Sequence, residues 1–348
     1  MLRRLMITLS LVAFVLSLGC GKSATATFAT VKGADSELRV TFISNNAHEF
    51  WKLAEIGVKQ AAKDLGVKAD FRMPAKASAD EQRQIIEDLI TQGCKNFAVS
   101  PNDPENQGDF YDSKAKQGIN FITVDNDLLA GSKRLCFLGT NNFAAGMSAG
   151  DLVKKAIPNG GKVAIFVGKL DNLNARQRRN GVIASLAGLK TMEEADALVK
   201  ANKVITAGKY TILETRTDNA EIPKCKDNVE DTITKNPDVN CMVGLWAYNA
   251  PQILLVAKEK KLLGKLKIIS FDEQQETLDG IRAGEIEGTI VQQPYEFGYQ
   301  SVKTLVEVAK GNKANLPKDG MGFIAHNVID KANVDSFEKK LNELKAKK

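Results

Sequence analysis

Acidic, aromatic and amide side chains recur at the ends of short apolar runs in this chain, and their positions suit hydrogen bonding to a small polar ligand. Asp125 follows the run FITV, and Asp272 follows IISF. A strand buried on both faces reads apolar throughout, so a carboxylate directly after such a run marks the point where the strand leaves its sheet. There it can accept hydrogen bonds from ligand hydroxyls or amines, or it can cap the turn or helix that follows. Trp246 and Asn249 follow CMVGL, and Gln292 ends TIV just before Gln293-Pro294. Asn219, in TRTDNAE, suits a cap as well as a ligand contact. In NARQRRNG, Arg176 stands at the start of an expected helix, where the helix dipole disfavours a cation. A guanidinium fork fixed into a cleft accounts for Arg176 better than solvation does, whereas a solvated face suits Arg178 and Arg179. Phe50 and Trp51 follow SNNAHE at the start of the first helix. Adjacent helical residues diverge, so one ring can pack inward while the other lines a cleft and stacks on a flat face such as a sugar ring. Asn46 and His48, in the preceding loop, can supply uncharged hydrogen bonds, and His326 reads as surface or hinge chemistry.

The elements that must position these groups alternate short apolar strands with amphipathic helices. Strands are predicted at 38–43, 67–72, 96–100, 119–124 and 135–139, with helices at 50–65, 79–91 and 104–117. The pattern then restarts. Helices are predicted at 143–156, 175–187, 222–235, 250–259, 273–282 and 294–309, and strands at 162–167, within 203–214, and at 241–245, 266–271 and 289–291. Such alternation is the pattern of βαβ units around a parallel sheet. There are too many units for one ordinary doubly wound sheet, so two lobes of similar build are expected. A weak internal echo agrees: VTFISNN with VAIFVGK, and FITVDN with IISFDE. Ligands of open α/β sheets sit beyond the carboxyl ends of the strands, so two facing sheets would enclose one polar cleft.

The chain has 348 residues, 43 % apolar and 26 % charged, with a formal net charge of +6. That is a globular mixture, and the small, evenly spread basic excess does not mark a nucleic-acid binder. Two histidines speak against a histidine-rich metal centre, and no metal site or cofactor is expected. GxGxxG in the first βα loop, GxxxxGK[ST] and HExxH are absent, and no GxSxG stands at a strand-to-helix turn as a nucleophile elbow, since GMSAG at 146–150 falls inside the predicted helix 143–156. The N-terminus, MLRRLMITLSLVAFVLSLGC, has the basic head and apolar stretch of an export signal over 1–19. Its Gly19-Cys20 end resembles a bacterial lipoprotein processing site, which implies Cys20 as the lipid-bearing mature N-terminus and 20–36 as a flexible tether. The body would then work outside the cytoplasm, near a membrane. Cys94, Cys136, Cys225 and Cys241 allow three complete pairings, with buried free thiols as the plainer expectation.

Taken together, SNNAHEFWKLAEIG, ITQGCKNFAVSPNDP, FITVDND, NFAAGMSAGDLV, GKVAIFVGKLDNLNARQRRNG, NPDVNCMVGLWAYNAP, IISFDE and GTIVQQPYEFGY resemble, in order and spacing, the periplasmic sugar-binding proteins of ABC importers, of the ribose-binding-protein-like kind. The resemblance implies the type 1 periplasmic binding protein fold: two Rossmann-like α/β lobes with central parallel sheets, joined by a three-crossing hinge. It places the N-terminal lobe at 37–139 plus 293–323 and the C-terminal lobe at 140–292 plus 324–348. By the same resemblance, Phe50 and Trp51 would sandwich the sugar ring, and Asp125 would hold ring hydroxyls. Arg176 would read hydroxyls or the ring oxygen from the second lobe. Trp246 and Asn249 would form the region whose asparagine binds a hydroxyl, and Asp272 and Gln292 would serve near the hinge. His48 stands where the family often has asparagine. Asn126, counted among the ligand-facing set, stands where it often has arginine, which removes one charged fork.

The expected function is capture of a monosaccharide or related polyol by hinge closure, without turnover, by a monomer that hands its ligand to an ABC permease in the inner membrane. A secreted sugar-processing enzyme using Asp125 and Asp272 is the alternative from the enzyme class, and a chemosensory ligand receptor the alternative from signalling.

Overall fold

The computed structural model describes residues 38–347. The export signal, Cys20 and the tether lie outside the described residues. In chain order the elements are β1 (Arg39–Ile43), α1 (Phe50–Leu65), β2 (Lys68–Arg72), α2 (Ala79–Thr91), β3 (Asn96–Val99), α3 (Gly108–Ala115), β4 (Asn120–Val124) and β5 (Phe137–Gly139). There follow α4 (Asn142–Ala156), β6 (Gly161–Val167), α5 (Leu173–Ala187), α6 (Met192–Ala201), β7 (Ile205–Ala207), β8 (Tyr210–Ile212), β9 (Arg216–Thr217), α7 (Ile222–Lys235) and β10 (Val239–Gly244). The chain ends with α8 (Asn249–Glu259), β11 (Lys267–Phe271), α9 (Gln275–Ala283), β12 (Gly288–Val291), α10 (Pro294–Ala309), a 3₁₀ turn (Lys313–Asn315), β13 (Met321–Phe323), β14 (Asn327–Ile329) and α11 (Val334–Lys345).

The strands form two sheets. The first runs β13-β5-β4-β3-β1-β2, all parallel. The second runs β14-β12-β11-β10-β6-β8-β7, with β9 also on β6, and is parallel except at β12/β14 and β7/β8. Helices cover both faces of each sheet, and four apolar clusters fill the gaps between them. Two α/β lobes result, and the chain passes between the sheets three times: from β5 into α4, from β12 into α10, and from β13 into β14. His326 lies in the last passage, its Nε2 2.9 Å from the Ser148 hydroxyl. Both lobes belong to one compact unit. Leu53 of α1 packs into the cluster under the second sheet, so the first helix of one lobe touches the core of the other.

Local signals account for most boundaries. Gly66 ends α1 in the left-handed region at φ 64°, which costs a glycine nothing. The Ser78 hydroxyl caps α2 by accepting from the Glu81 N–H. Pro294 opens α10, where its fixed φ suits a first helical turn. The 203–214 segment is a hairpin, β7–β8, where one strand and an irregular piece are expected. The α6 helix escapes a reading based on apolar periodicity, although Thr191 and Glu194 form a complete capping box at its start. The β9, β13 and β14 strands are two or three residues long, too short for a period-2 pattern to register. All four described cysteines are buried free thiols.

One close approach fixes the helix that matters most for the site. A Cβ at Gly146 of α4 would lie 2.2 Å from the Arg178 carbonyl oxygen of α5, and a Cβ at Gly181 would lie 2.2 Å from the Phe143 carbonyl oxygen. The two glycines let the helix backbones meet. Gly146→Ala should therefore cost about 1–3 kcal/mol of stability by overpacking, read as a lower urea midpoint with an unchanged m-value. An unaltered midpoint would show that α4 and α5 can separate freely.

Candidate functional site

Asp125 and Asp272 hold matching places. Each is the residue directly after a strand, β4 in the first sheet and β11 in the second. Each takes a left-handed backbone, at φ 62° and 64°. Asp adopts this region more readily than most residues, because its short polar side chain can bond locally. The Asp125 N–H still donates to the Leu138 carbonyl at 3.1 Å and the Asp272 N–H to the Ile290 carbonyl at 2.8 Å, so the left-handed turn begins with the last ladder bond made. Both carboxylates are then carried to the wall of an interlobe cavity of about 400 Å³. They are 5 % and 6 % exposed.

The cation beside them is Arg178, 2 % exposed. Its Nε donates to Asn142 Oδ1 at 2.9 Å and its Nη1 to the Leu245 carbonyl at 3.1 Å, while the guanidinium lies 4.9 Å from the centroid of the Phe271 ring. The acceptors that hold it are neutral, so its charge stays available to the cavity. Burial pushes the Asp125 carboxyl from its ordinary 3.8 up to about 6. Arg178 opposes the rise, Asp272 adds to it, and the Ser100 hydroxyl opposes it. Burial raises Asp272 as well, against Arg178, the Gln292 amide and His48.

Aromatic rings close the cavity from both lobes. Phe50 lines it, and Trp51 touches it while being buried in the first core, 5.8 Å from Phe42 between ring centroids, with its indole N–H on Asn45 Oδ1 at 3.1 Å. Trp246 faces them from the second lobe, with Tyr248 edge-on to it at 6.2 Å. A Cβ at Gly168 would lie 1.9 Å from the Trp246 ring, so the indole rests on bare backbone at the end of β6. His48 Nδ1 accepts from the Phe50 N–H at 3.2 Å, and Asn46 Oδ1 accepts from the His48 N–H at 3.1 Å. The loop is thereby wound on its own side chains.

Of the residues singled out from sequence, the structure brings Asn46, His48, Phe50, Trp51, Asp125, Trp246, Asp272 and Gln292 around one cavity. Four others do not line it. Arg176 turns away. Its Nη1 donates to the Leu170 and Asp171 carbonyls and lies 3.6 Å from Glu105 Oε1 of the first lobe, at the cleft's edge. The helix begins at Leu173, earlier than the predicted 175. Two residues span just over half a helical turn, so Arg176 and Arg178 point to opposite sides. Arg178 and Arg179 are correspondingly buried, which corrects the expectation of a solvated face. Asn126 donates from Nδ2 to the Pro101 carbonyl at 2.7 Å and braces that loop. Asn219 sits in a left-handed turn, with its N–H on the Gly168 carbonyl at 2.9 Å. Asn249 folds back, its Oδ1 accepting from the Trp246 N–H at 2.9 Å and its Nδ2 donating to Asp218 at 3.1 Å, so it positions the Trp246 turn.

Arg178, Asn174, Tyr248 and Asn45 line the cavity without having been selected from sequence. Tyr248 was within reach, because it follows the same strand end as Trp246. Its hydroxyl donates to Asp218 Oδ1, and that buried carboxylate gathers Tyr248, Asn249 and the Ala220 N–H behind the site.

A family model for a periplasmic binding protein domain matches residues 40–313. The chain is 25 % identical over 284 residues to the D-allose-binding periplasmic protein of Escherichia coli K12, across 78 % of this chain and 84 % of that one. It is 24 % identical over 307 residues to the ribose import binding protein RbsB of Salmonella typhimurium, across 85 % and 94 %. An ABC transporter solute-binding protein from Burkholderia graminis, solved in complex with D-arabinose, superposes with a TM-score of 0.76 at 28 % identity, covering 86 % of this chain and 97 % of that one. The chain belongs to the periplasmic binding protein family.

The raised Asp125 carboxyl carries a consequence for stability. A carboxyl that holds its proton more tightly folded than unfolded stabilises the fold fully below its unfolded pKa, and that contribution is lost as pH rises through the folded one. For Asp125 the window runs from about pH 3.8 to about 6. Between pH 4 and pH 7 the ligand-free wild type should therefore lose roughly 2–3 kcal/mol relative to Asp125→Asn, measured by denaturant unfolding at both pH values. A difference that does not change with pH would show the carboxylate to be adequately solvated.

Proposed function

We propose that this periplasmic binding protein is the solute-binding component of an ABC importer and that it captures a monosaccharide or related polyol between its lobes. The observation that carries the reading is the lining of the interlobe cavity: Phe50 and Trp246 supply aromatic rings from opposite lobes, while Asp125, Asp272, Arg178 and Gln292 supply polar groups. That pairing suits a pyranose or furanose, whose ring faces are apolar and whose rim carries hydroxyls. The cavity, about 400 Å³, is of small-ligand size. Binding without turnover is the chemistry of this family, and the two carboxylates have a binding use that requires no bond breaking. Arg178 takes the second-lobe arginine role, and Arg176 with Glu105 forms an exposed latch between the lobes. Closure moves a body of 37–139 with 293–323 against one of 140–292 with 324–348, and contacts from both bodies favour the ligand-bound state. The closed form is what a membrane permease would recognise.

A thermal-shift screen over pentoses, hexoses and sugar alcohols, followed by calorimetry on the hit, tests the reading. Arg178→Ala should weaken binding of a neutral sugar or polyol by about 100-fold, because it removes the one guanidinium donor on the cavity wall. Arg176→Ala should cost less than about fivefold, as expected for an exposed pair. The opposite ranking in folded variants would return the role to Arg176.

We further propose that 1–19 is an export signal, that Cys20 is lipidated and that 20–36 tethers the body at the extracytoplasmic membrane surface. Cys20→Ser should shift the exported protein from the membrane fraction to the soluble one. A wild type already soluble, with no acyl mass on Cys20, would refute the anchor.

A further inference from the structure

We infer that the ligand this cleft is built for carries a protonated amine, as an amino sugar or amino polyol does. The inference rests on the binding reading above and adds the charge of the ligand. Among the cavity-lining residues, Asp125 and Asp272 are acidic and Arg178 is the one arginine or lysine. His48 turns its Nδ1 to the Phe50 N–H, accepting at 3.2 Å, so that nitrogen is spent within the loop. The adjoining interlobe groove does not redress the balance, since it brings more glutamates than lysines, Glu273 beside Asp272 among them.

The hydrogen-bond polarity of the wall runs the same way. Gln292 donates its amide to Asp272 Oδ1 at 3.0 Å, and Asn174 donates its amide to Asp125 Oδ2 at 3.4 Å. A carboxylate can only accept, so these contacts fix which way each amide faces. Gln292 Oε1 and Asn174 Oδ1 are left buried without a partner, on cavity-lining residues that are 4 % and 7 % exposed. The wall therefore carries two carboxylates against one guanidinium, and the amide beside each carboxylate is turned to donate to it. A hydroxyl donates one hydrogen bond to such a wall. An ammonium donates up to three and carries the charge that the buried group lacks.

Calorimetric titration of the purified protein at neutral pH tests this with matched sets: glucose, glucosamine and N-acetylglucosamine; the galactose equivalents; and sugar alcohols with their 1-amino-1-deoxy counterparts. At least one amine should bind tenfold or more tightly than its hydroxyl parent and its N-acetyl derivative. That preference should fall below threefold in Asp125→Asn or Asp272→Asn. Both replacements keep the side-chain shape at these positive-φ positions. Asparagine also tolerates that region, so the fold should survive. If hydroxyl parents bind and every amine binds no better, the charge inference is overturned while the sugar-binding reading stands. If no member of any set binds to folded protein, both are overturned.

Discussion

Two carboxylates buried at the ends of two strands in two different sheets, with one guanidinium between neutral acceptors beside them, form the constraint on which the rest of this structure depends. Taking Asp125 and Asp272 out of water is costly, and the rise in both carboxyl pKa values records that cost. Arg178 offsets part of it. It can do so only because Asn142 and the Leu245 carbonyl hold it without neutralising it. An ion pair made directly with either aspartate would satisfy that one and leave less charge and hydrogen-bonding capacity for a ligand. The arrangement instead keeps charge and hydrogen-bonding capacity facing the cavity, where a ligand can use them.

The fold supplies this arrangement twice over. In each lobe a parallel strand ends in a left-handed aspartate, and in each an aromatic residue stands at the edge of the same cavity. The lobes contribute opposite walls, and contacts at several depths join them: Leu53 in the second core, Asn174 on Asp125, and Arg176 beside Glu105. The innermost of these belong to the site itself, so ligand capture and lobe closure share residues. Behind the second wall, Asp218 holds Tyr248 and Asn249, and Asn249 holds the turn that carries Trp246. The indole is thus set by a buried network on one side and by the bare backbone of Gly168 on the other.

Much of the site could be read before any coordinates. Asp125, Trp246, Asp272 and Gln292 were legible because an apolar run ending in a polar or aromatic side chain marks a strand's carboxyl end, and that end is where open α/β sheets bind. Arg178 was not legible. Choosing between two arginines separated by one residue requires the helix phase, and the phase depends on where the first turn begins. The partners of Asn126, Asn219 and Asn249 were not legible for a related reason. An amide near a strand end serves a loop, a turn or a cap as well as it serves a ligand, and only its hydrogen-bond partner tells which.

The sequence by itself determined the alternation of strands and helices, its restart into a second lobe, and the polar residues at the strand ends, because period, turn residues and breaks in apolar runs are local properties of the chain. Tertiary structure alone decided which side chains share a cavity, which arginine faces it, which amides are spent on internal bonds, and that two buried carboxylates share the wall with one guanidinium. Those outcomes depend on rotations of helices and on contacts between residues far apart in the chain, such as Asn174 with Asp125 and Gln292 with Asp272, and no local pattern encodes them.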